Sequence, residues 1–159
     1  MSVLLWMLGL AEAAELTFAV DAGYVGSDVV MGGFGASAGL RVPITHHLSA
    51  YGDVGGRLFL PASAELGLGL LASGHIGHWS PGVGVEVSAF VGGRVQRFTP
   101  DALTLRDGPV LSVRGVARPL VYDQGTWGFS GPALALGVAQ GGGVSFNVEM
   151  VQVAWCFGT

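Results

Sequence analysis

From Leu16 to Phe157 the chain alternates apolar residues with small or polar ones, the period-two pattern of strands with two different faces. Leu16, Phe18, Val20, Ala22 and Tyr24 alternate with Thr17, Ala19, Asp21 and Gly23. Phe34, Ala36, Ala38, Leu40 and Val42 alternate with Gly35, Ser37, Gly39 and Arg41. A third run sets Leu48, Ala50, Gly52, Val54 and Leu58 against Ser49, Tyr51, Asp53 and Arg57. A shorter fourth sets Leu66, Leu68 and Leu70 against Gly67 and Gly69. Pro43–His47 and Pro61–Ala64 read as the connections around the third strand, since proline cannot donate to a ladder.

The fifth and sixth runs form the most regular hairpin. Val83, Val85, Val87, Ala89 and Val91 oppose Gly84, Glu86, Ser88, Phe90, Gly92 and Arg94, and the phase holds to Phe98. After Thr99–Ala102 it resumes as Leu103, Leu105, Leu111 and Val113 opposite Thr104, Arg106, Ser112, Arg114 and Arg118. At roughly sixteen residues each, these strands exceed the ~9–11 needed to cross a bilayer, so the Thr99–Ala102 tip is expected to stand furthest from it. Pro119–Trp127 reads as a connection. A seventh strand follows around Leu134, Leu136 and Val138, and an eighth from Val144 to Phe157, with the phase slipping by one residue near Val151, where a bulge is predicted. So long an apolar strand at the end of the chain must be paired or it aggregates. Pairing it with the first strand predicts a closed antiparallel eight-stranded up-and-down transmembrane β-barrel, all-β, in one domain over residues 14–159.

Composition decides which way the barrel faces. Half of the 159 residues are hydrophobic, 28 are glycine, and there are seven arginines and no lysine. Soluble domains carry roughly a quarter charged residues; here the fraction is 11%. No apolar run approaches the roughly 18 residues of a spanning helix. One face of every strand is aliphatic, while the other is Gly, Ala and Ser interspersed with Asp21, Arg41, Asp53, Arg57, Glu86, Arg94, Arg114, Arg118 and Glu149. A soluble ligand-binding barrel, the competing reading, would be polar outside and apolar within. Few charges of both signs among glycines instead predict lipid outside and a narrow ionic interior, plugged rather than porous. In it Asp53, Glu86 and Glu149 are expected to meet arginines, with Arg57, Arg94 and Arg114 as partners. Trp79, Tyr122, Trp127, Phe129, Trp155 and Phe157 fall toward one end, as an interfacial aromatic girdle would.

Residues 1–13 read as an export signal of atypical form: an apolar Val3–Leu10 core, Ala11-Glu12-Ala13 as a cleavage pattern, and no basic residue before Arg41. A net charge of −4 without a basic run excludes a nucleic-acid partner, and the single cysteine, Cys156, excludes an internal disulfide.

The Gly-rich alternating strands, the turn-like Arg41-Val-Pro-Ile-Thr-His-His-Leu48 and the terminal Val153-x-Trp155-x-Phe157 together resemble the small outer-membrane β-barrels of Gram-negative bacteria. The resemblance implies residence in the bacterial outer membrane, termini on the periplasmic side, outer-membrane lipid as surroundings, and recognition of the last strand by the barrel-assembly machinery. That family usually ends on the aromatic, whereas Gly158-Thr159 follow here. The function it implies is structural, adhesive or interacting, through the outer loops.

Catalytic patterns are sparse. His78-Trp-Ser80 is similar to the His-x-Ser element of barrel enzymes that deacylate lipid A, and Glu86 would be the carboxylate of such a triad. This makes a lipid-modifying enzyme the alternative function. The turn position of His78 and Ser80 and the inward face of Glu86 argue against it. Adjacent His46-His47 point to opposite faces of an extended chain, and His75-x-x-His78 lacks further ligands, so no metal is expected. Gly32–Gly35 and Gly141–Gly143 precede no helix and are not phosphate cradles, and no cofactor is expected.

Overall fold

Alternation of this kind can be satisfied only if each strand finds two neighbours and turns all its small residues the same way. In the computed structural model this is what occurs. It describes residues 14–26, 29–58, 63–92, 94–96, 103–104 and 109–157; the expected signal segment, the Thr99–Ala102 tip and the Gly158-Thr159 end lie outside the described residues.

The long strands are β1 (Glu15–Gly26), β2 (Val29–Thr45), β3 (Leu48–Leu58), β4 (Ser63–Ser73) and β5 (Gly82–Gly92), followed by the short β6 (Arg94–Gln96) and β7 (Leu103–Thr104). Then come β8 (Val110–Arg118), β9 (Leu120–Asp123), β10 (Trp127–Gly131), β11 (Ala133–Ala139) and β12 (Gly143–Cys156). Antiparallel pairing runs β1-β2-β3-β4-β5-β8-β11-β12 and returns from β12 to β1, closing an eight-stranded barrel. Closure joins Leu16 to Trp155 and Gly26 to Val144, so the expected seam between first and last strands is the one formed. The bulge lies at Met150, one residue from its expected place: Val20 pairs with Val151 and Asp21 with Glu149. It lets Glu149 and Gln152, three apart, both face inward.

Three segments depart from the sequence reading. Strand β2 continues through Pro43 to Thr45, leaving His46-His47 as the turn. Beyond Arg41 it is paired by β3 alone, and a strand with one open side tolerates proline. The expected connection Pro119–Trp127 is largely a hairpin, β9–β10, turning at Gly125 with φ +85°. Here Pro119 and Pro132 interrupt the sixth and seventh barrel strands without ending them. Finally, the fifth strand does not run straight to Phe98. At Gly92 its backbone takes φ +134°, and β6 then pairs with Val29–Val30, the edge of β2 left free beyond Leu58 of β3.

The barrel is turned inside out relative to a soluble protein. Leu66, Leu68, Val83, Val85, Val87, Leu136 and Val138 are exposed, while Arg57, Glu65, Ser88, Ser112 and Arg114 are each at most 3% exposed. A small apolar cluster of Val25, Phe90 and Ala139 lies within, near the far end from the termini. Around the terminal end, Trp79, Trp127, Phe129, Trp155 and Phe157 face outward, with Trp127 opposite Trp155 in register and Trp79 edge-on to Tyr122 at 5.4 Å.

Candidate functional site

Register builds the interior. Tyr51, Gly69, Glu86, Arg114 and Gly137 are consecutive partners across β3, β4, β5, β8 and β11, and so form one rung around the wall. Gly69 makes the rung possible: a Cβ there would stand 2.5 Å from the Tyr51 ring, so glycine lets the phenol lie flat over β4 and donate to Glu86 at 2.9 Å. Directly opposed Ser88 and Ser112 hydrogen-bond at 2.6 Å in the neighbouring inward position.

Five charged side chains form a continuous chain through the middle: Asp21–Arg57–Glu65–Arg114–Glu86, each arginine paired to a carboxylate on either side. The Arg57 and Arg114 guanidiniums both also pack on the Phe90 ring, 5.7 and 5.8 Å from its centroid. Nearer the termini, Arg118 takes Glu149 in a two-pronged pair at 2.8 and 3.0 Å and also donates to Gln152 at 2.6 Å. Arg41 bonds Glu15 and Gln152, both at 3.1 Å.

Of the nine charged residues expected inside, Asp21, Arg57, Glu86, Arg114, Arg118, Arg41 and Glu149 therefore stand in ion pairs. The partner choice differs in part: Glu149 meets Arg118, and Arg57 serves Asp21 and Glu65. No described arginine lies within ion-pair distance of Asp53, a correction to its expected contact. It sits between Gly39 and Gly67, beside hollows of about 20 and 30 Å³, each of which can take a water. Arg94 has its side chain outside the described residues. Glu65 was overlooked. It is in phase with Gly67 and Gly69, but the apolar alternation that marks the fourth strand begins at Leu66, three residues past the start at Ser63.

The triad suggested by His78, Ser80 and Glu86 is not assembled. His78 packs against Tyr122 at the surface, Glu86 is held by Arg114 and Tyr51, and Ser80 pairs with a different histidine, His75, at 2.8 Å.

At the terminal end the barrel opens into a cavity of about 540 Å³. The connection between β4 and β5 folds against β9 through Ser80 N–H to Val121 and Asp123 N–H to the His78 carbonyl, and this extends the wall around it.

An apolar exterior, an ion-paired interior and eight antiparallel strands define a small closed barrel built for lipid surroundings. Solved structures agree. The chain is similar to Neisserial surface protein A (TM-score 0.64, 11% identity, 91% of this chain and 97% of that one). It is also similar to the attachment invasion locus protein Ail of Yersinia pestis in complex with the heparin analogue sucrose octasulfate (0.58, 10%, 92% and 99%), and to the N-terminal β-barrel domain of Pseudomonas aeruginosa OprF (0.56, 10%, 89% and 97%). At such identities the likeness is one of fold. No protein-family profile and no curated protein sequence matches the chain.

Proposed function

We propose that this protein is an outer-membrane barrel of a Gram-negative bacterium, with its termini in the periplasm, that acts as a structural or surface-interaction protein rather than as a pore. The observation that carries the reading is the interior chain Asp21–Arg57–Glu65–Arg114–Glu86, capped by Tyr51 and Phe90. Its five side chains come from five different strands, β1, β3, β4, β5 and β8. An arginine remains charged and fills space, so a crossed-over set of this kind obstructs the lumen from five of its eight strands. The surface role falls to the end away from the termini, where β6 and β7 stand beyond the barrel rim. The names of two structural neighbours, a surface protein and an attachment invasion locus protein, support the same reading.

Two measurements test it. After fractionation of the native host, the protein should require detergent for extraction and run faster unheated than boiled on a gel. In planar bilayers it should give no steady conductance steps, and Glu86→Gln should lower stability more than it changes current. Release in aqueous buffer would refute the membrane assignment, and sustained steps altered by Glu86→Gln in a stably folded variant would replace the plug with a pore.

A further inference from the structure

The cavity at the terminal end has the build of a small-molecule site. Its volume, about 540 Å³, lies within the usual ~300–1,000 Å³ of ligand pockets. Its inner floor is closed by the Arg41–Gln152–Arg118–Glu149 layer, in which both guanidiniums donate to the Gln152 carbonyl oxygen. Leu71, Val121 and Ala154 line it with apolar surface, all less than a tenth exposed. A vestibule that merely held water would have no reason to bury aliphatic side chains around itself, because each such wall disfavours water.

One polar group of the lining is poised for a ligand. Ser80 has its hydroxyl 2.8 Å from His75 Nδ1, while His75 Nε2 lies 3.0 Å from the His46 carbonyl. That carbonyl can only accept, so Nε2 carries the hydrogen and Nδ1 is left to accept from Ser80. The hydroxyl oxygen is then free to accept from a ligand.

Charge narrows the ligand class. Arg41 is the one arginine among the described lining residues, and its two terminal nitrogens are committed to Glu15 and Gln152. Asp123, at the rim, accepts from the Gly125 N–H at 2.6 Å. With two carboxylates to one already neutralised guanidinium, an anionic head group finds no partner. A cationic one would have to shed water among aliphatic walls at high cost.

We propose that the terminal mouth binds a small uncharged amphiphile: a short acyl chain seated against Leu71, Val121 and Ala154, with a head group whose hydroxyl donates to Ser80. This is independent of the surface role assigned to the far end.

Cys156 supplies the test, since it is the sole cysteine of the chain and lines the same cavity. In lipid nanodiscs, the rate of Cys156 alkylation by a water-soluble maleimide would be followed against increasing 1-monooctanoylglycerol, octanoate and octylammonium. The neutral ester should slow labelling saturably while the two ions do not. Ser80→Ala should raise its half-saturation by about fivefold, the effect of one neutral hydrogen bond, and Ala154→Leu, which narrows the cavity beside the acyl seat, should raise it as well. Folding of each variant is checked by its unheated mobility. Protection that rises without saturating, or that is the same for all three probes, would overturn the proposal. So would a half-saturation unchanged by Ser80→Ala and by Ala154→Leu in folded variants.

Discussion

Replacing Arg114 by methionine tests the interior most directly, because its consequences follow from a charge count. Arg114 is 1% exposed and lies between Glu65 and Glu86. The chain Asp21–Arg57–Glu65–Arg114–Glu86 holds three carboxylates and two guanidiniums, a net charge of −1. Arg114→Met leaves three carboxylates around Arg57 alone, a net charge of −3 + 1 = −2, with Glu86 keeping only the Tyr51 hydroxyl. Removing one partner of a buried pair typically costs ~3–5 kcal/mol. Glu86→Gln alone instead brings the set to neutrality and keeps an acceptor for Arg114 and Tyr51, so its cost is nearer that of one weakened charge-assisted bond, about 1–2 kcal/mol. Combined, the two substitutions restore a net charge of −1 and remove the stranded carboxylate. The double variant should therefore be more stable than Arg114→Met alone, with a coupling of about 1–3 kcal/mol. Unfolding by guanidinium in lipid vesicles, read by tryptophan emission and by gel mobility of unheated samples, gives all four corners of the cycle. If Arg114→Met lies within about 1 kcal/mol of wild type, or the double variant is as unstable as the summed singles, the arginine is not buried in a shared ionic core and the reasoning fails.

Three further outcomes follow from particular positions. Leu68, 61% exposed at the centre of β4, faces outward. Leu68→Arg should cost ~2–4 kcal/mol when folding into a bilayer, whereas an unchanged folding equilibrium in vesicles would place that face in water. Gly69→Ala pushes a methyl into the Tyr51 ring and should lose ~1–3 kcal/mol by overpacking; a stability equal to wild type would mean the ring does not lie over β4. Tyr51→Phe removes one hydrogen bond to Glu86 and should cost about 1–2 kcal/mol in the same vesicle assay, with no change in bilayer current. A new conductance in that variant would show that the phenol gates a path.

Much of the barrel was legible because its physics is local. A strand between lipid and a narrow lumen must alternate, so the facing of Phe18 and Val20 against Asp21, or of Val85 and Val87 against Glu86, is written two residues at a time. The bulge was legible for the same reason: a phase slip in β12 cannot be absorbed otherwise. What escaped depended on partners distant in sequence. That β6 would take the open edge of β2 depends on β3 ending before β2 begins, a comparison of lengths that no window of sequence contains. Glu65 escapes because Pro61–Ala64 reads as a turn just before it, and His75 is hidden as the partner of Ser80 because a spacing of two looks more like a motif than a spacing of five.

The same rungs explain why a chain with so few charges can still specify one register. A one-residue slip of any strand exchanges its lumen and lipid faces. For β8 that slip would carry Arg114 to the exterior, leaving Glu65 to Arg57 alone and Glu86 to the Tyr51 hydroxyl, while placing Val113 among carboxylates. Both errors are costly, so a single ion pair is enough to fix the phase of a strand that carries one. A two-residue slip keeps the faces, and hydrophobicity cannot oppose it. Here the small residues act: moving β4 by two would put Leu71 or Gly67 opposite Tyr51 in place of Gly69, setting either a leucine side chain under the phenol ring or the ring over the wrong rung, out of reach of Glu86. Glycine, arginine and tyrosine thus divide the work. The charges forbid odd slips, the fitted ring over Gly69 forbids even ones, and the lipid-facing side needs only to be apolar, which is why it carries Leu and Val almost interchangeably along every strand.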